Sequence, residues 1–113
     1  MHEMALAENM LQIIEEEAVE QSFTQVNTVW MEVGRLSCVE KEALQFCFSA
    51  VTDGTIAQQA KLEIIDIEGW GRCMQCHCEM VLNTLYDACP SCGNYAIKVI
   101  AGDEMRIKEL EVE

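Results

Sequence analysis

Cys73-Met74-Gln75-Cys76 and, twelve residues later, Cys89-Pro90-Ser91-Cys92-Gly93 dominate any reading of this 113-residue chain. Two residues between thiols let a tight turn aim both sulfurs at one ion. Two such turns complete a tetrahedron of about 2.3 Å Zn–S bonds. The spacer, residues 77–88, is long enough for a short hairpin carrying Val81, Leu82 and Leu85, and Gly93 supplies a residue that takes positive φ readily. Four thiolates fill the coordination sphere of Zn2+, so such a centre is expected to be structural. The pattern predicts a zinc-ribbon subdomain over 70–98, folded largely by its metal. His77 and Cys78 beside the first pair read as bystanders that could swap in as ligands.

Working outward, the flanking residues show two periodicities. Met4, Ala7, Leu11, Ile14 and Ala18 line one face of a helix over 4–20, opposite Glu8, Glu15, Glu16 and Glu20. Residues 25–33 read as a strand in which Val29, Met31 and Val33 alternate, ending at Gly34. Ser37 is positioned to cap a second helix over 38–52, whose face is Val39, Ala43, Phe46 and Ala50 and whose stop is Asp53-Gly54. Cys38 and Cys47 on that helix read as small buried hydrophobes. Strands follow at 61–68 and 105–112. In the latter the apolar set shifts from Met105/Ile107 to Leu110/Val112, which predicts a bulge or two differently covered ends. The expected fold is α+β, two helices on a three-stranded antiparallel sheet, with the ribbon inserted. The main domain is then 1–69 plus 99–113.

Charge narrows the function. Twenty acids against seven bases give a formal charge of −13, and 71–98 holds only Arg72 and Lys98 as cations. Neither nucleic acid nor an anionic membrane surface is an expected partner; cations and basic protein surfaces are. No apolar run is long enough to span a membrane and no signal peptide is visible, so reduced, cytoplasmic thiols are expected. No Ser/His/Asp set, P-loop or GxGxxG appears, which argues against an enzyme. A thiol oxidoreductase would need a free reactive thiolate that a four-thiolate site ties up.

The start of the chain, Met1-His2-Glu3, holds a second metal signal. His2 is too large for routine removal of Met1. A free α-amine then sits one residue from an imidazole. The Met1 α-amine, the deprotonated His2 amide and the His2 ring can chelate one ion in fused rings, and a Glu3 donor closes a square plane that suits Ni(II) or Cu(II). A solvated His in a mobile terminus is the bland alternative.

Taken together, these residues resemble the HypA-type nickel chaperones of [NiFe]-hydrogenase maturation. The resemblance rests on Met1-His2-Glu3-Met4, on Gly34 followed by Ser37-Cys38-Val39-Glu40, and on Leu44-Phe46-Cys47-Phe48. It extends through the paired cysteines and Gly93 to the tail Gly102–Val112. It implies a nickel domain of two helices on three strands and an inserted four-cysteine zinc ribbon. It implies that Ni2+ is bound through His2 and Glu3, and in some members through an acid matching Glu40. It implies delivery to the hydrogenase large subunit precursor with a HypB-type GTPase, and in some organisms to urease. A homodimer is among the assemblies expected. The runner-up reading is a zinc-ribbon adaptor that binds another macromolecule.

Overall fold

A computed structural model describes residues 2–113 and divides them into two compact units. The first comprises Met1–Met31, Val39–Ile65 and Arg106–Glu113; the second comprises Glu32–Cys38 and Asp66–Met105. The elements run α1 (Glu3–Gln21), β1 (Val26–Gly34), a 3-10 turn (Arg35–Ser37), α2 (Lys41–Thr52), β2 (Lys61–Ile67), β3 (Gly69–Cys73), β4 (Glu79–Leu82), β5 (Ile97–Ala101) and β6 (Met105–Val112). Two three-stranded sheets result, in the orders β2-β1-β6 and β4-β3-β5.

In the first unit α1 packs against α2. The core holds Leu6, Ala7, Met10 and Ile14 of α1, Val26, Val29 and Met31 of β1, and Leu44 and Phe48 of α2. On α1 the buried stripe is rotated from the expected one: Leu6 and Met10 are buried, whereas Met4, Leu11 and Ala18 are half-buried.

The second helix departs further. It begins at Lys41, three residues later than expected, and its N-cap is Glu40, whose Oε1 accepts from the Glu42 amide at 3.0 Å. Ser37 does not cap it. The Ser37 hydroxyl donates to the Gly34 carbonyl at 2.6 Å, and Cys38, at φ 61°, breaks the chain between the 3-10 turn and α2. The buried face is Leu44, Phe48 and Thr52, and Phe46 is 74% exposed. Two apolar stripes overlap on this helix, and periodicity cannot choose between them. Packing prefers Leu44 and Phe48, which bury more apolar area than Ala43 and Ala50. Cys38 is exposed rather than buried. On β6 no residue is inserted: Gln25 pairs with Glu113 and Gly34 with Glu104, equal spans on both strands. The shift in the apolar pattern therefore reflects differently covered ends.

The second unit is built on β3, flanked by antiparallel β4 (Trp70 opposite Val81) and β5 (Cys73 opposite Ile97). Its core is Cys73, Met80, Leu82 and Cys89, with Leu36 from the 3-10 turn. Val81 (42% exposed) faces outward instead because strand alternation buries its neighbours Met80 and Leu82, and Leu85 (48% exposed) lies beyond the end of β4. Gly71 permits this packing, since a Cβ there would stand 2.5 Å from the Ile97 side chain and 2.6 Å from that of Leu82. Leu36→Ala is expected to destabilise this unit by about 2–5 kcal/mol, the usual cost of a buried Leu truncation. Chemical denaturation followed at Trp70 measures it; an unchanged midpoint would remove Leu36 from the core.

Candidate metal centres

The ribbon cage is assembled by two knuckles of equivalent backbone design. In the first, the Cys73 amide donates to the Cys78 carbonyl at 2.8 Å and the His77 amide to the Cys73 carbonyl at 2.9 Å. In the second, the Cys89 amide donates to the Asn94 carbonyl and the Gly93 amide to the Cys89 carbonyl, both at 2.8 Å. His77 (φ 65°) and Gly93 (φ 76°) occupy the same left-handed place in the two turns. A residue other than glycine tolerates this conformation at some cost, so His77 is accounted for by the backbone turn.

The Cys73, Cys76, Cys89 and Cys92 sulfurs all lie within 4.8 Å of one another, with Cys73–Cys92 and Cys76–Cys89 each 3.6 Å apart. Sulfurs 2.3 Å from a central ion stand about 3.8 Å apart in a tetrahedron, so the cage has the dimensions of a four-thiolate site. The spacing is far too long for S–S bonds, and all seven cysteines are free. Cys78 and His77 are outside this cluster among the described residues. Cys78 instead packs against the ribbon core and accepts from the Ser91 hydroxyl at 3.5 Å.

The knuckle amides also set the thiol acidities. The Cys92 amide, helped by that of Ser91, holds the Cys89 thiol down to about 6 against the opposing effect of burial. The Cys76 amide does the same for Cys73, which lies below its ordinary value. For Cys76 the Cys78 amide favours the thiolate, but burial and hydrogen bonds with the other thiols outweigh it and push the group up to about 12. Each knuckle thus pairs a thiol below its ordinary value, Cys73 or Cys89, with one above it, Cys76 or Cys92, and an ion bound by all four must displace protons.

The N-terminal residues of the expected nickel site lie in the other unit. His2 is the N-cap of α1: its Nδ1 accepts from the Met4 amide at 3.2 Å, and its carbonyl accepts from the Leu6 amide at 3.1 Å. Glu3 follows in the first turn, and its Oε2 accepts a long, 3.5 Å bond from the Glu40 amide. Glu40 is itself the cap of α2. The N-termini of both helices thus adjoin through the Glu40 main chain, while the Glu40 carboxylate is engaged by its own helix; among the described residues only the four cysteines form a group that could hold a metal ion. The Met1 α-amine lies outside the described residues. Glu40→Ala should remove the α2 cap and cost about 1 kcal/mol, read as a shift in the unfolding midpoint; no shift would show that the cap contributes nothing.

Fold and sites together define a small metal-binding protein with a thiolate cage in one unit and a nitrogen- and carboxylate-bearing surface in the other. No described helix is long and apolar enough to cross a membrane. The chain matches, over residues 1–112, the family described as "Hydrogenase/urease nickel incorporation, metallochaperone, hypA". It is 49% identical to the hydrogenase maturation factor HypA of Azotobacter vinelandii and 52% identical to that of Dechloromonas aromatica, each over 113 residues covering both chains completely. It shares its fold with the solution structure of the Ni metallochaperone HypA from Helicobacter pylori (TM-score 0.73, 24% identity, 99% and 97% of the two chains covered). It also aligns with a second HypA solution structure at TM-score 0.72 and 25% identity, over 100% and 97% of the chains. The chain belongs to the HypA family of nickel-incorporation metallochaperones.

Proposed function

We propose that this protein binds Ni2+ at its N-terminus and delivers it to a [NiFe]-hydrogenase large subunit precursor, working with a HypB-type GTPase in the cytoplasm. The observation that supports this most directly is the Glu3–Glu40 contact beside the His2 cap. It puts the segment carrying Glu40 next to the one carrying His2 and Glu3, the residues that the family resemblance implicates. Urease is a second client class that the family description names. No catalytic step is needed, and a homodimer is compatible with this role.

In the nickel site the Met1 α-amine, the His2 amide nitrogen and His2 Nδ1 form a five- and a six-membered chelate ring. Nδ1 is the ring nitrogen within reach of the His2 amide, and it is the same atom that caps α1. Binding therefore exchanges the Met4 amide for the metal. The exchange costs about 1 kcal/mol of capping and returns it on release, which favours transfer over storage. Copper would bind such a site more tightly than nickel, so selectivity must come from availability and partner docking. The four cysteines hold Zn2+, which supplies a structural cross-link. With every ligand position filled by protein, it has no place for a substrate.

Calorimetric titration of the full chain with Ni2+ tests the reading. One site per chain is expected, weakened by a single residue added before Met1. Equal nickel binding by the extended chain would exclude an α-amine ligand.

A further inference from the structure

The first unit contains a groove that the metal chemistry leaves unused. It measures about 410 Å³ and lies between the second half of α1 and β6. Its apolar lining includes Ile13, Phe23, Leu110 and Val112; its charged lining is Glu17, Glu109 and Lys108. Ile13 is 48% exposed and Val112 39%, so aliphatic surface that a monomer would ordinarily cover is open to water.

Two features indicate what would cover it. The first is the strand edge. Among the described residues β6 ends its sheet and pairs only with β1. Successive strand residues point to opposite faces, yet Ile107, Lys108, Glu109 and Leu110 all line the groove. A groove that touches both faces of β6 passes over its free edge, where main-chain donors and acceptors are available for another strand. The second feature is charge. The groove's own lining has two acids to one base, Glu16 and Glu20 stand exposed on the same helix, and Glu111 and Glu113 end the chain. The chain as a whole carries −13. A second copy would bring that same charge against it.

We propose that this groove docks an extended segment of a partner protein in which apolar residues alternate with Lys or Arg, added along β6 as a further strand. Apolar side chains would enter beside Ile13 and Val112, and the basic ones, on the opposite face of the added strand, would meet the exposed Glu109 and Glu111 of β6. The proposal concerns a face distinct from the nickel donors and does not rest on them.

The test uses the full, zinc-replete chain and a short synthetic peptide alternating Val and Lys, followed by NMR. The expected result is saturable shifts confined to the amides of β6 and the second half of α1. Affinity should fall as salt rises, because exposed charges are screened within about 10 Å. Glu109→Lys with Glu111→Lys should weaken binding about tenfold or more, since opposed charges become like charges at two points. Ile13→Ser should weaken it with the charges intact, and His2→Ala should leave it unchanged. Three results would overturn the proposal: equal binding of a Val/Glu peptide, shifts scattered over the whole acidic surface, or concentration-dependent self-association through β6 in place of peptide binding.

Discussion

His2→Ala is expected to abolish specific Ni2+ binding while leaving zinc content and fold intact. The substitution removes the only side-chain nitrogen adjacent to the α-amine, so the chelate loses its six-membered ring. It also removes the cap acceptor of α1, whose Nδ1 sits 3.2 Å from the Met4 amide. That second loss costs about 1 kcal/mol, well within the 5–15 kcal/mol by which small proteins are stable. The buried stripe of α1 begins at Leu6 and is untouched. Nickel titration and circular dichroism on the same sample separate the two effects. Unchanged nickel affinity and stoichiometry would make the N-terminal assignment wrong, and His77 with Cys78 would be the next donors to examine. A useful companion is the Met4 amide itself: if Nδ1 leaves it for nickel, its hydrogen exchange should accelerate on loading.

The second large effect is expected at the cage. Replacing any one of Cys73, Cys76, Cys89 or Cys92 by Ala leaves three thiolates around an under-coordinated ion. Structural zinc supplies apparent free energies of order 10–16 kcal/mol in small metal-folded units, so losing the site should loosen the ribbon rather than soften it slightly. Chelating zinc from the intact chain should act alike, raising exchange across residues 70–98 while α1 and α2 stay protected. Leu36 makes this expectation more specific. Its side chain belongs to the ribbon core and its amide donates to the Gly102 carbonyl at 2.8 Å, so protection at Leu36 should fall with the ribbon despite its distance in sequence. Full zinc retention in all four variants would remove the cage assignment, and global unfolding on chelation would show that the two units do not stand independently.

Partner association offers a gentler check. A surface of formal charge −13 should speed encounter with a basic partner, and the on-rate should drop as salt rises. A salt-independent rate would mean that apolar contacts alone set the encounter.

What the sequence determined by itself was whatever depends on neighbours in the chain. A CxxC turn is closed by its own amides, so the convergence of two such turns followed from spacing. The apolar periods placed both helices and the strands at 25–33, 61–68 and 105–112 to within a few residues, because a helix or a strand must bury one side. The chelating order of amine, amide and imidazole is likewise written in three consecutive residues. Tertiary structure alone decided the choices among equivalent local options. On α2, Leu44 and Phe48 won over Phe46 because volume against α1, not period, selects the buried stripe. The hydroxyl of Ser37 was taken by the Gly34 carbonyl, so capping passed to Glu40. The ribbon borrowed Leu36, and Glu3 met the Glu40 amide thirty-seven residues away, because a contact between distant segments is set by how surfaces pack and leaves no mark in the spacing of either one.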